Sequence, residues 1–253
     1  MDRKELLEKC LAEESVAEML GWDFSHIEGR YESEDEKLSW DYVKIVKNML
    51  EPNAKILDID TGGGEVLLSI GHPYELITAT EGYEPNVEYC RKKLEPLGVR
   101  VEKVTDYAHL PFEDEEFDMV INRHGNYDAD EVYRVLKKGG LFITQQVGDD
   151  NDKEFIEFLL PELPKKEKIH NLKTQEKVFQ NAGFSVIEKG EALRMIKFFD
   201  IGAFVWFAKV ISWEFEGFSV EKCIDKLVQA QKEIDKYGAI AATIHRYLII
   251  ARK

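Results

Sequence analysis

The stretch "ILDIDTGGGEVLL", residues 56–68, decides the fold. An apolar run of strand length meets two aspartates and three consecutive glycines, and a second apolar run follows. That order reads as strand, Gly-rich turn, helix. Glycine lets the backbone approach a bound group closely, because no Cβ intervenes. Such a turn usually holds a nucleotide. Gly62 and Gly64 match the first two glycines of the dinucleotide fingerprint Gly-x-Gly-x-x-Gly, but its third position is Leu67. No Gly-Lys-Ser/Thr follows either, so a phosphate-cradling loop fails. Asp60 sits where a nucleotide turn would open with glycine.

Working outward, elements alternate. "ELITAT" (75–80), "VRVEKV" (99–104), "FDMVIN" (117–122) and "LFITQQV" (141–147) read as strands. "EPNVEYCRKKLEPLG" (84–98) reads as a helix with Pro85 in its first turn and Gly98 after its end. "DADEVYRVLKKGG" (128–140) reads as a helix opened by acids and closed by lysines and glycine, as the helix dipole favours. This β-α-β rhythm demands an α/β fold with a mostly parallel, doubly wound sheet.

The flanks differ. Residues 4–20 and 35–50 carry apolar side chains at helical spacing, with a loop between them. Beyond residue 150, "DNDKEFIEFLL" and "LKTQEKVFQNAG" read as helices, "FSVIEKGEAL" as a strand, 219–236 as a helix and "TIHRYLIIARK" as a closing strand. Residues 198–218 are crowded with aromatics, among them Phe198, Phe204, Trp206 and Trp213. Such a block is either packed core or a lid over a small apolar ligand, and Trp22, Phe24 and Tyr31 are placed to close over the same crevice. With no clean linker, the chain is expected to form one domain: 1–34 as a helical cap, 35–150 as the ligand-binding core, and 151–253 completing the sheet, with a cap insertion near 195–238.

The chain has 253 residues and a net charge of −15, which disfavours a nucleic-acid partner. Cys10, Cys90 and Cys223 are scattered, with neither zinc spacing nor a disulfide framework, so a cytoplasmic location and no metal are expected. The N-terminus is too charged for a signal peptide, and Lys197, Asp200 and Lys209 interrupt the longest apolar stretch, so no membrane association is expected. The acidic "GDDND" (148–152) is read as a turn and helix N-cap rather than a metal site.

Four pieces in order carry a resemblance: "LDIDTGGGE" (57–65), "ATEGYEPNVEYCRKKL" (79–94), "VTDYAHLPFEDEEFDMVINRHG" (104–125) and "VYRVLKKGGLFITQQ" (132–146). Together they resemble the class I S-adenosylmethionine-dependent methyltransferases, most closely the type 11 branch. The resemblance implies a seven-stranded Rossmann-like sheet and S-adenosylmethionine as cofactor, with S-adenosylhomocysteine as product. It implies cofactor contacts from Asp58, Asp60, Thr61, Gly62, Gly63, Gly64, Glu81, Gly82, Asp106, Tyr107, Ala108, Asn122 and Arg123. Glu81 would accept from the ribose hydroxyls, Asp106 from the adenine amino group, and Tyr107 would line the ring. The family usually places a glycine where this chain has Asp60. Because the cofactor carries an ammonium and no phosphate, a carboxylate there is acceptable, and Asp58 or Asp60 is expected to face it.

His124 follows the fourth strand of this core and titrates near neutrality, so it is the candidate general base. Methyl transfer needs little beyond alignment, because the sulfonium is already activated. His245 is read as structural. A small-molecule acceptor is the leading reading, and direct displacement the mechanism. The alternatives are an RNA or protein methyltransferase and a non-catalytic cofactor-binding protein; relatives that modify ribosomal RNA carry a cysteine-rich zinc module with no counterpart in this sequence. A nicotinamide-dependent oxidoreductase is disfavoured by Leu67.

Overall fold

The computed structural model of the protein describes residues 2–19, 23–164 and 167–253. Leu20 and Trp22, read above as helix and lid, lie outside the described residues. Among the described residues eight strands form one sheet: β1 (Tyr31–Ser33), β2 (Ile56–Ile59), β3 (Ile77–Glu81), β4 (Arg100–Lys103), β5 (Phe117–Arg123), β6 (Leu136–Val147), β7 (Ser185–Phe198) and β8 (Ile240–Arg252). Their spatial order is β1-β7-β8-β6-β5-β2-β3-β4. The block from β4 to β6 is parallel, whereas β8 runs antiparallel to β6 and β7, and β1 antiparallel to β7. The fold is thus the doubly wound α/β sheet expected, with one strand more than seven. The extra strand, β1, pairs only Tyr31, Glu32 and Ser33 with β7, inside a segment read as loop; three residues are too few to show an alternation.

All residues of β2 and β3 are buried, as strands covered on both faces must be. Ile56 packs on one side with Leu67, Ile77 and Leu94, from α3 (Glu65–Ile70), β3 and α4 (Glu84–Leu94). Leu57 and Ile59 pack on the other with Val132 and Phe179, from α5 (Ala129–Val135) and α7 (Leu172–Asn181). Two helices are shorter than their periodicity suggested. The helix read over 35–50 is α2 (Tyr42–Met49), started by Asp41, whose side chain accepts from the Lys44 N–H. The helix read over 128–140 stops at Val135, because Leu136 already pairs with Phe117 as the first residue of β6.

The cap draws on both ends of the chain. α1 (Arg3–Ser15) contributes Leu6 and Cys10 to one apolar cluster with α6 (Lys153–Leu159), α8 (Ile201–Val210) and α9 (Val220–Tyr237). The aromatic block is mainly core: Phe198, Phe204, Trp206, Phe207, Phe215 and Phe218 are buried, while Phe199 and Trp213 are exposed. Arg30 and Lys9 both pair with the Asp200 carboxylate, whose Oδ1 also caps α8, and these contacts hold it down at about 2 despite burial. Among the described residues no helix is long and apolar enough to cross a membrane.

Candidate active site

In a doubly wound sheet ligands bind beyond the carboxyl ends of the strands, where the strand order reverses. Here that point lies between β2 and β5, since β3 flanks β2 on its other side. The turn after β2 reaches it through three left-handed residues: Asp60 at φ 56°, Gly62 at 63° and Gly64 at 74°. Its carbonyls are tied to α4, the Gly62 oxygen by Cys90 Sγ and the Gly63 oxygen by Lys93 Nζ, both at 2.8 Å. Gly125, after β5, closes on the turn: any Cβ there would overlap Asp60 Cβ.

Three acids converge. Burial pushes the Asp58 carboxyl up to about 7, and the charges of Asp60 and Glu81 add to the push. Burial also lifts Asp60 to about 6, against hydrogen bonds from the Tyr107 hydroxyl and the Asn126 N–H that hold it down. Glu81 ends β3 at 5 % exposure; its Oε1 accepts from the Gly82 and Tyr83 N–H groups at 2.8 Å, and its Oε2 from Gly62 N–H at 2.9 Å. A carboxylate has about four acceptor positions, so one on Oε2 stays available. Gly82 must be glycine, because a Cβ would stand 2.7 Å from the Val104 carbonyl. These groups suit a cationic, phosphate-free ligand: among the described residues none of the three carboxylates has a salt-bridge partner, and no lysine lies within the turn sequence.

The other residues named from the sequence divide. Tyr107 bonds Asp60 and so spans from the β4 side to the β2 turn. Asp106 is exposed, accepting from Ala108 N–H at 3.1 Å and contacting His109 Nδ1 at 2.8 Å. Asn122 is wholly buried and spends its side chain inside the sheet, donating to the Ile59 carbonyl at 2.8 Å and accepting from Thr144 at 3.1 Å and from Gln146. Arg123 lies close enough to Asp35 and Arg246 to feel their charge, and burial lowers its affinity for its proton.

His124 stands in the left-handed region at φ 64°, its N–H bonded to the Gln145 carbonyl. Burial, with Arg246 and Arg123 nearby, drives its imidazole well below its ordinary value, which favours the neutral form. Trp40 Nε1 donates to Gln145 Oε1 at 2.8 Å, which turns the Gln145 amide nitrogen toward His124 Nε2 at 3.0 Å. Nε2 is therefore the acceptor and Nδ1 carries the proton. In that tautomer the basic nitrogen is already engaged. His245 is structural: it is buried, with Nε2 on Glu191 at 3.1 Å and Nδ1 accepting from Asp150 N–H at 3.2 Å.

From Asp60 and His124 a cavity of about 1330 Å³ extends under the cap. Phe24, Tyr31, Phe207 and Trp213 form its aromatic side, and Asp152, Glu214 and Arg246 its charged side. Most of the aromatic block is thus core, and its edge, Phe207 and Trp213, lines the cavity. Local sequence does not mark the charged side: Asp152 has the residue type of a helix cap, and Arg246 lies within an apolar strand with no motif around it.

Residues 57–144 match the family described as methyltransferase domain. A comparison with curated protein sequences gives no match. Among solved structures, a candidate methyltransferase from Bacillus halodurans has 20 % identity and a TM-score of 0.58, covering 84 % of this chain and 98 % of that one. YcgJ from Bacillus subtilis has 18 % identity and a TM-score of 0.56, covering 84 % and 97 %. The cyclase SpnF has 18 % identity and a TM-score of 0.50, covering 83 % and 79 %. At these identities the likeness is one of fold, and fold alone does not assign a reaction.

Proposed function

We propose that this chain, whose residues 57–144 match the methyltransferase-domain family, binds S-adenosylmethionine between β2 and β5 and methylates a small molecule held in the adjoining cavity. The observation that carries this is the position of Asp60. It belongs to the Gly-rich turn, and it also lines the cavity, so a cofactor on the turn and an acceptor in the cavity would meet there. Glu81, already oriented by three N–H groups, takes a ribose hydroxyl on Oε2. Asp58 and Asp60 take the α-ammonium, directly or through water. Asp106 takes the adenine amino group, with Tyr107 against the ring.

The bound cofactor supplies a methyl group on a sulfonium, open to in-line displacement by an acceptor lone pair. The protein's part is to align and enclose. Phe207 and Tyr31 exclude water from one wall, and holding the acceptor in line supplies most of the effect. His124 acts as a hydrogen-bonding wall residue rather than as a general base, since Nε2 is occupied by Gln145. The net charge of −15 and a cavity lined by acidic side chains favour a small acceptor over RNA.

Thermal shift tests this reading. A ligand that binds only the native state stabilises it by about 2.7 kcal/mol at a hundredfold excess over its dissociation constant. S-adenosylmethionine and S-adenosylhomocysteine should each raise Tm by several degrees. Stabilisation by NAD alone would refute the proposal.

A further inference from the structure

We infer that the acceptor carries a protonated amine, which docks on Asp152 while its apolar body lies on the aromatic wall; this rests on the reading of the cavity as the acceptor site. Asp152 is 2 % exposed and lines the cavity. Its Oδ2 accepts from Asn151 Nδ2 at 2.7 Å, but its Oδ1 is buried with no hydrogen-bond partner. A buried carboxylate oxygen without a donor is costly, and native structures rarely leave one. An aspartate at this place normally caps the helix that follows. Here the backbone takes φ 52°, the side chain makes no cap bond to α6, and the carboxylate faces the cavity instead.

The surrounding charges leave room for a cation. Among the described residues, eight acidic side chains line the cavity against three of Lys or Arg. Those three are committed. Lys153 and Lys168 pair with Asp150 at 3.4 and 2.6 Å. Arg246 pairs with Asp35 at 2.8 Å and donates to Asn151 and to the His245 carbonyl. Asp152 has no salt-bridge partner among the described residues. Glu214 faces the same space and is linked to Asp152 through the Asn151 amide. Burial and the Glu214 charge raise the Asp152 carboxyl well above its ordinary range, against the pull of the nearby Arg246 charge.

The groups at Asp152 suit an organic cation rather than a metal ion. Among the described residues no group of three His, Cys, Asp or Glu side chains could hold a metal ion. An orphaned acceptor calls for an N–H donor, and an ammonium supplies both donor and charge. The wall adds to the fit: Phe24 lies 6.2 Å from Phe207 and 6.5 Å from Tyr31, ring to ring, and aromatic faces attract cations. A carboxylate ligand would be repelled here. A neutral alcohol brings no charge to favour the ionised carboxylate. Held as an ammonium, the nitrogen has no lone pair, so Asp152 is an anchoring residue.

Calorimetric titration at pH 7.5 with two matched sets of probes tests this: phenethylamine, 2-phenylethanol and phenylacetate, then hexylamine, hexanol and hexanoate. With the protein saturated in S-adenosylhomocysteine, at least one amine should bind tenfold or more tighter than its alcohol, and neither acid should bind. Asp152→Asn should bring that amine to within about threefold of the alcohol. An alcohol or acid binding as well as its amine, no binding of either amine, or an unchanged preference in Asp152→Asn would overturn the inference. Should Asp152→Asn fail to fold by circular dichroism, the wild-type ranking decides alone. If S-adenosylhomocysteine itself does not bind, the cofactor reading fails, and the same ranking on the free protein still decides this one.

Discussion

Replacing Asp60 by asparagine separates a ligand-binding carboxylate from a turn residue. The position has φ 56°, which Asn tolerates as well as Asp, so the turn should survive. The carboxyl is partly buried and lifted from an ordinary 3.8 to about 6. The folded state therefore holds this proton more tightly than the unfolded chain does. Ionisation then costs stability, which falls as pH rises from about 4 to about 6 and stays lower above that. At about 1.4 kcal/mol per pKa unit the difference is about 3 kcal/mol at pH 8, an upper limit because water reaches the site. Asparagine removes the charge, keeps an acceptor for the Asn126 N–H, and can still pair with the Tyr107 hydroxyl. Asp60→Asn should thus be more stable than wild type at pH 8 by up to about 3 kcal/mol, or about 6–12 °C in Tm for a chain of this size. At pH 4 the two should be nearly equal. Affinity for S-adenosylmethionine should move the other way and weaken at least tenfold. Urea denaturation at the two pH values and calorimetric titration read both effects. A variant destabilised at both pH values, with unchanged affinity, would show that Asp60 only shapes the turn.

Three further outcomes are expected. Asp58 and Asp60 must be ionised to meet an ammonium, so the Kd for S-adenosylmethionine should rise by up to about tenfold per unit as pH falls below the values of about 7 and 6; a flat profile between pH 5 and 8 would remove both from the ammonium site. Gly125→Ala should cost about 1–3 kcal/mol and weaken the cofactor, since the new methyl overlaps Asp60 Cβ; normal stability by urea denaturation would contradict the close approach. Phe204→Ala, in the core of the cap, should cost about 3–5 kcal/mol by the same measure; a loss below about 1 kcal/mol would mean that α8 is not packed as described.

How much could be read from the chain followed the range of the forces involved. The β2 turn, Glu81 at the end of β3 and Asp106 after β4 stand at local spacings set by one βα unit each, and their places in the fold were legible. Strand β1 was not, because three residues hold no period and its pairing with Phe198 spans most of the chain. The end of α5 was missed because Lys137–Gly140 suit a helix terminus, while the Phe117–Leu136 pairing makes them strand. Asn122 follows the right strand, and its amide bonds Ile59, Thr144 and Gln146, partners that only the sheet register reveals. Asp152 has the residue type of a helix cap; its left-handed backbone, which turns it to the cavity, leaves no mark in composition or period.

The most direct test is calorimetric titration of S-adenosylhomocysteine into the wild type and Glu81→Ala. Glu81 is buried, oriented by three N–H groups and placed at the end of β3 beside the turn. Wild type should bind one equivalent, and Glu81→Ala, still folded by circular dichroism, should bind at least thirtyfold more weakly. No binding to the wild type, or equal binding by the two proteins, would contradict a cofactor site between β2 and β5.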